Sequence, residues 1–121
     1  MMLQTKILGN NGESLVADWL TKHGAKILAR NYQARVGEID IIAVKDDVVA
    51  FVEVKTRNTN YIPLAQTVTL SKQKRLIKTA QKYILANQIR DKVIRFDIAT
   101  VLWIEGKEYS ISYIKNAFGP L

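Results

Sequence analysis

The sequence predicts a single α/β domain, bordering on α+β, in which a mixed β-sheet is flanked by helices. Two segments repeat apolar residues at helical spacing, and five short apolar runs have the pattern that is typical of strands. In chain order they read helix, three strands, helix and two strands, which is the order of a sheet covered by helices. A chain of 121 residues has room for one core, so we expect residues 1–121 to form one domain.

The first helix is expected over about residues 11–23. Asn10 is a suitable N-cap, and Glu13 follows three residues later as in a capping box. Gly24 is the residue type that most often follows the last turn of a helix. Apolar residues recur between them at helical spacing, namely Leu15, Val16, Trp19 and Leu20.

Three strands are expected next, at about residues 25–34, 38–44 and 48–57. We place Asp46 and Asp47 at the centre of the turn between the second and third strands. Opposed residues in this hairpin then have numbers that sum to 93, so that Val44 faces Val49.

The same count places two pairs of charged residues opposite each other. Asp40 faces Glu53, and Glu38 faces Lys55. Directly opposed side chains project from the same face of a sheet, with Cβ atoms about 4.5–5.5 Å apart. The sequence therefore predicts a small cluster of acidic and basic side chains on one face.

The second half of the chain is expected to contain a loop, a helix and two strands. The loop spans 58–69, the helix about 71–87, and the strands about 93–103 and 109–116, joined by a turn at 105–107. The apolar stripe of the helix consists of Leu76, Ile77, Ala80, Tyr83 and Ile84.

The chain is basic, with a net charge of +7 and an isoelectric point near 9.7. An excess of this size suits a polyanionic partner, although a basic protein can also simply be soluble. The N-terminus carries no long apolar stretch, so we expect neither a signal peptide nor a membrane span, and a cytoplasmic location.

Asp40, Glu53 and Lys55 are the residues that indicate chemistry. Opposed carboxylates repel each other unless a cation lies between them or one is protonated. With no cysteine and one histidine in the chain, a metal would be held by oxygen atoms, which favours Mg²⁺ or Mn²⁺. The alternative is a structural network in which Lys55 or Arg57 neutralises the acids, with Lys55 paired to Glu38.

Glu13 is a candidate third acid, because it lies at the edge of the apolar face of the first helix. The alternative is that it only completes the capping box.

The start of the second helix is strongly basic. Cations there oppose the helix dipole, and a bound anion would relieve that conflict. The basic residues are therefore interpreted either as a surface that contacts phosphate or as an ordinary solvated face of the helix. The basic residues are Lys72, Lys74, Arg75 and Lys78.

Several blocks of the sequence together have a distinctive pattern: Gly12-Glu13, Ala29-Arg30-Asn31-Tyr32, Gly37-Glu38-Ile39-Asp40-Ile41-Ile42-Ala43, Phe51-Val52-Glu53-Val54-Lys55-Thr56-Arg57, Lys72-Gln73-Lys74-Arg75-Leu76, Arg90 and Phe96-Asp97. They resemble the small bacterial proteins of the YraN family, also called UPF0102. The resemblance covers nearly the whole chain, and it implies a restriction-endonuclease-like core with an Asp…Glu-x-Lys nuclease signature, similar to archaeal Holliday junction resolvases.

The resemblance implies a role for each matching residue. Asp40, Glu53 and the backbone carbonyl of Val54 would hold Mg²⁺ or Mn²⁺, Glu13 would complete or orient the metal shell, and Lys55 would be the catalytic lysine. Contacts to nucleic acid would come from Arg57, Lys72, Lys74, Arg75 and Lys78.

The resulting hypothesis is a metal-dependent nuclease acting on DNA, with branched or structured DNA as a candidate substrate. Similarity to resolvases implies a homodimer, since two symmetric nicks need two active sites. The alternative is a catalytically silent nucleic-acid-binding module that retains the nuclease fold, because fold resemblance does not establish activity. A third hypothesis is a scaffold whose basic helix binds an acidic protein.

Overall fold

The computed structural model describes residues 2–57, 68–103 and 108–119, with side chains from Gly12 onward. Seven elements follow the predicted order of one helix, three strands, a second helix and two strands. They are α1 (Met2–Lys22), β1 (Lys26–Ala34), β2 (Gly37–Lys45), β3 (Val48–Arg57), α2 (Leu70–Ala86), β4 (Val93–Leu102) and β5 (Ser110–Phe118). Most of the predicted loop at 58–69 and the whole of the predicted turn at 105–107 lie outside the described residues.

The start of the first helix differs from the prediction. α1 begins at Met2, so Asn10 lies inside the helix and is not its N-cap. The preceding residues include methionine, leucine, glutamine and lysine, which are good helix formers, and the helix continues through them. Its end is as predicted: Gly24 adopts a φ of +91°, and the N–H of Ala25 donates to the carbonyl of Leu20 at 3.0 Å.

The five strands form one mixed sheet in the order β1-β2-β3-β4-β5. β3 and β4 are parallel, whereas the other neighbouring strands are antiparallel. A parallel pair needs a long crossover connection, and α2 lies in that connection. The predicted α/β class and mixed sheet are confirmed.

One helix covers each face of the sheet. On the α1 face, Val16 and Leu20 pack against Ile41 and Val52. On the α2 face, the largest buried side chains belong to Ile39, Ile42, Phe51, Leu76, Tyr83 and Phe96. Burial of both faces explains why β3 and β4 are apolar over much of their length and do not simply alternate.

The predicted register of the central hairpin is confirmed near its turn. Val44 pairs with Val49, and the sum of 93 holds from Lys45 opposite Val48 to Ile41 opposite Val52. Asp46 has a φ of +54°, a left-handed conformation that aspartate tolerates in tight turns.

In the described parts of the chain, no helix is long and apolar enough to cross a membrane.

Candidate active site

The candidate site lies where β2 and β3 stop pairing. Their ladder ends at Ile41 opposite Val52. One residue further, the carboxylate of Asp40 takes the place of a backbone partner, and its Oδ2 accepts the N–H of Val54 at 2.7 Å. Because the N–H and C=O of one strand residue point to the same side, we expect the Val54 carbonyl to face this gap as well.

The side chains of β2 also lose their regular alternation here. Ile39 packs in the core on the α2 face, whereas Ile41, two residues later, packs in the core on the α1 face. Residues two apart in a regular strand share a face, so the strand must rotate between them. Asp40 lies at this rotation, which lets its carboxylate interact with residues from both faces of the sheet.

The predicted pairing of Glu38 with Lys55 is wrong. The side chain of Glu38 is exposed and accepts a long hydrogen bond from Gln33 Nε2 at 3.5 Å. Lys55 instead lies 3.4 Å from Glu53 Oε1. The count that predicted the pair assumes a ladder continuing past Ile41, but the strands separate there.

Asp40 lies close to the carboxylates of both Glu53 and Glu13. Burial, reinforced by the nearby charge of Glu53 and by charge and a hydrogen bond from Glu13, raises the pKa of Asp40 to about 7. The Val54 N–H opposes this shift, but it is only one donor. These surroundings favour the protonated form of the Asp40 carboxyl over the charged form.

Asn31 is a site residue that the sequence reasoning missed. With its side-chain nitrogen toward α1, it donates to both carboxylate oxygens of Glu13 at 3.1 Å. Asn31 has a φ of +51° inside β1, an irregular conformation that asparagine tolerates. Sequence spacing gives no sign of this contact, since it depends on how α1 crosses β1.

Glu53 is the most buried acid of the cluster, with 7% of its side chain exposed, and two ammonium groups contact the same oxygen. Lys72 Nζ lies 2.6 Å from Oε1, closer than Lys55 Nζ at 3.4 Å. Burial and the adjacent Lys72 lower the pKa of Lys55. Burial alone would lower the pKa of Lys72, but its hydrogen bond to Glu53 and neighbouring interactions outweigh this and raise it.

A cavity of about 210 Å³ opens onto the cluster between the start of β2 and α2. Gly37 lies at its wall, where a Cβ would approach Thr79 Oγ1 to 3.1 Å, so β2 and α2 are closely packed. The charged and polar lining comes from Glu38, Asp40, Glu53, Lys72 and Arg75. The cavity is therefore large enough for several water molecules or a small polar group.

The side chains at the site are chemically suitable ligands for a hard divalent cation. Asp40, Glu53 and Glu13 offer only oxygen ligands, and a cation would remove the repulsion that holds a proton on Asp40. Within residues 12–57, 68–103 and 108–119, however, no three acidic or histidine side chains already surround one common position. The nearest cation to Glu53 is instead the ammonium of Lys72.

The basic residues of α2 divide into two groups. Lys72 and Arg75 line the cavity, whereas Lys74 and Lys78 lie outside its lining. Of the four, only Lys72 is half-buried, and the other three are exposed. The first turn contains no acidic residue, and Thr69 is its N-cap, with Oγ1 accepting the Lys72 N–H at 3.2 Å. In β3, Arg57 is half-buried, and its Nε has no hydrogen-bond partner among the described atoms.

The protein is an α/β domain with a mixed sheet. The two strands of its central hairpin separate at a cluster of carboxylates, and the start of a lysine-containing helix lies beside that cluster. Residues 12–101 match the family model described as "Uncharacterised protein family UPF0102". The chain belongs to this family. The match contains every candidate site residue.

Three relatives illustrate how far the similarity extends. A UPF0102 protein of Chloroherpeton thalassium is 45% identical over 121 residues, which cover 93% of this chain and 94% of the relative. One from Alkaliphilus metalliredigens is 44% identical over 94% of this chain and 99% of its own length. One from Clostridium perfringens is 39% identical, with 98% of each chain covered.

Proposed function

We propose that this protein is a metal-dependent nuclease that hydrolyses phosphodiester bonds in DNA. The observation that carries the proposal is that the carboxylate of Asp40 lies close to those of Glu53 and Glu13. Lys55 Nζ lies 3.4 Å from Glu53 Oε1, and a cavity opens onto Asp40 and Glu53. The repulsion between the carboxylates costs stability, which is typical of a site selected for chemistry.

Each residue of the site has its own proposed role in hydrolysis. Asp40, Glu53 and the Val54 carbonyl would hold Mg²⁺ or Mn²⁺, and Glu13, fixed by Asn31, would orient Asp40 or complete the shell. The bound ion would lower the pKa of the attacking water and neutralise charge on the phosphate. Lys55 would hold the water or stabilise the developing negative charge, a task for which its ammonium is placed beside Glu53.

Substrate binding is assigned to the basic side chains near the cavity. Contacts to the DNA backbone would come from Arg57, Lys72, Lys74, Arg75 and Lys78. Branched or structured DNA is the substrate class that we propose. A DNA substrate would place the protein in the cytoplasm, and paired nicks in a symmetric junction would require a homodimer.

The test is cleavage of branched, flapped and linear DNAs with Mg²⁺ and with Mn²⁺. We expect Asp40→Ala and Glu53→Ala each to reduce cleavage at least about 100-fold, as loss of a metal ligand should. Asp18→Ala is the matched control, because Asp18 is an exposed acid on α1 and we expect wild-type cleavage from it. Cleavage that survives both site substitutions would contradict the assignment.

One observation favours a second candidate, a nucleic-acid-binding module without catalysis. Lys72 already neutralises Glu53, which is how a purely structural acid would be satisfied. This candidate predicts salt-dependent DNA binding with no cleavage of any substrate in either metal. Absence of DNA and RNA binding at low salt would instead favour a protein-interaction scaffold.

A further inference from the structure

We propose that Lys72 is an exchangeable counter-ion, which neutralises Glu53 when metal is absent and moves to a DNA phosphate when metal binds. The proposal rests on the function proposed above and adds how the site is regulated. Lys72 thereby makes the binding of metal and of DNA depend on each other.

The first step is the geometry at Glu53. Lys72 reaches it from α2, whereas Lys55 lies two residues away on the same strand. Both ammonium groups contact Oε1, and the Lys72 contact is the shorter, at 2.6 Å against 3.4 Å. A divalent cation on this carboxylate would be a third positive charge within a few ångströms, so it must compete with Lys72.

The second step is that Lys72 is able to leave while Glu53 is not. A third of the Lys72 side chain is exposed, whereas Glu53 is almost fully buried. A lysine side chain is flexible and its ammonium is strongly hydrated, so it can turn outward at little steric cost. Lys55 remains beside Glu53 in either state because both belong to β3.

The third step is that the displaced ammonium has another anion to bind. Lys72 lies in the first turn of α2, where the N-terminal dipole is positive and no acidic residue is present. Arg75 lines the same cavity, so a phosphate entering it would meet both cations. DNA at this position would therefore draw Lys72 away from Glu53.

These steps make the two ligands cooperative. A phosphate that captures Lys72 exposes Glu53 to the metal, and a metal on Glu53 releases Lys72 to the phosphate. Such coupling is reciprocal by thermodynamic necessity. Metal is then loaded mainly onto DNA-bound protein, and Lys72 keeps the carboxylate neutralised in the free protein.

The experiment measures Mn²⁺ affinity by calorimetry, with and without a short phosphorothioate duplex that resists cleavage. Without DNA, we expect Lys72→Met to bind Mn²⁺ about tenfold more tightly than wild type, because one charge-assisted contact no longer competes. With DNA, we expect wild type to gain about tenfold in Mn²⁺ affinity and Lys72→Met to gain clearly less.

Two further variants make the result specific. Lys82→Met removes a positive charge from an exposed position of the same helix outside the cavity lining, and we expect less than a threefold change in Mn²⁺ affinity without DNA. Lys72→Gln keeps a hydrogen-bonding side chain without the charge and should agree with Lys72→Met. Thermal melts of each variant check that it is folded.

Failure of this inference differs from failure of the proposed function. If Lys72→Met matches wild type in Mn²⁺ affinity with and without DNA, while Glu53→Gln loses binding, the exchange is wrong and the metal site stands. If wild type binds no Mn²⁺ in either condition, or if Glu53→Gln binds it as well as wild type does, the proposed metal site is wrong. The proposed exchange of Lys72 is then wrong as well.

Discussion

At the scale of single residues, the fully buried Asp97 and the half-buried Asp40 show the difference between a structural acid and a candidate chemical one. Asp97 is fully buried, yet it accepts hydrogen bonds from Arg95 Nε at 2.9 Å, Tyr113 Oη at 2.6 Å and the Asn116 N–H at 2.9 Å. Asp40 accepts one hydrogen bond, from the Val54 N–H, among the described residues, and it lies beside other acids. Only the first arrangement repays the cost of burial.

This contrast predicts that Asp40→Asn stabilises the protein at alkaline pH. The pKa of Asp40 rises from its ordinary value of 3.8 to about 7, so the folded state binds a proton between these values that the unfolded state has lost. Wild-type stability should therefore fall as pH rises through this window, and the loss persists above it. Asparagine keeps an acceptor for Val54 and removes the charge.

The measurement is urea denaturation at pH 5 and pH 8. We expect Asp40→Asn to exceed wild type by about 1–3 kcal/mol at pH 8, with a smaller difference at pH 5, since solvent reaching the partly exposed cluster screens the full shift. Asp18→Asn on the exposed face of α1 should show no such pH dependence. A variant less stable than wild type at pH 8 would mean that the charge of Asp40 is compensated.

At the scale of elements, the close crossing of α1 over β3 positions Glu13. A Cβ on Gly12 would overlap the hydroxyl oxygen of Thr56 on β3. Thr56 is β-branched and short, so it has no flexible end that could move aside. Glycine costs about 1 kcal/mol in a helix relative to alanine, and here the close approach requires it.

We therefore predict that Gly12→Ala destabilises the protein. The gain in helix propensity is about 1 kcal/mol, but forcing the overlap costs more, and we expect a net loss of about 1–2 kcal/mol in the free energy of unfolding. The displaced helix should also carry Glu13 away from Asp40 and weaken Mn²⁺ binding. Denaturation and calorimetry measure the two effects.

The control is Asp18→Ala, which raises helix propensity on the exposed face of the same helix without a new contact. It should be neutral or slightly stabilising. A stabilised Gly12→Ala would show that α1 can move outward from β3 without cost, which would remove the reason for glycine at this position.

The elements also show which parts of the structure could be predicted from the sequence. Strand boundaries and the turn at Asp46 depend on local periodicity, and they agree with the structure within a few residues. The predicted Glu38–Lys55 pair is wrong because counting residues from the turn assumes continuous pairing. It cannot show that the two strands separate beyond Ile41.

The site was predictable to a similar extent. Glu13 reaches Asp40 as expected, although the capping box that also accounted for it is wrong because α1 extends to Met2. The contact of Lys72 with Glu53 was not predicted, since it joins α2 to β3 and depends on how the helix packs on the sheet. Helix-end charge indicated an anion for Lys72, but it could not distinguish a carboxylate of the chain from a phosphate.

At the scale of the whole molecule, an acidic centre must attract a polyanion. The three carboxylates repel DNA phosphates, but the chain as a whole carries a net charge of +7. Lys74 and Lys78 are exposed on α2, the helix whose Lys72 and Arg75 line the cavity that contains Asp40 and Glu53. Long-range attraction from the basic surface can therefore bring DNA to a site that only a bound metal makes locally favourable.

This charge distribution predicts how DNA affinity depends on salt. Each phosphate contact contributes about 0.9 to the slope of log affinity against log salt on duplex DNA. Lys74→Met should reduce the slope by about that amount, and adding Arg75→Met and Lys78→Met should reduce it by about 2.7 in total. Fluorescence anisotropy across a salt series, with Ca²⁺ in place of Mg²⁺ to prevent cleavage, measures the slope.

Lys26→Met is the matched control, because it removes the same charge from the start of β1, at the turn end of the central hairpin and away from the cavity. If only net charge mattered, Lys26→Met and Lys74→Met would change the slope equally, and the basic surface of α2 would have no special role. A loss confined to the α2 variants would localise the DNA backbone beside Asp40 and Glu53. Affinity and chemistry would then belong to one surface, because phosphates held by α2 lie within reach of the gap between β2 and β3.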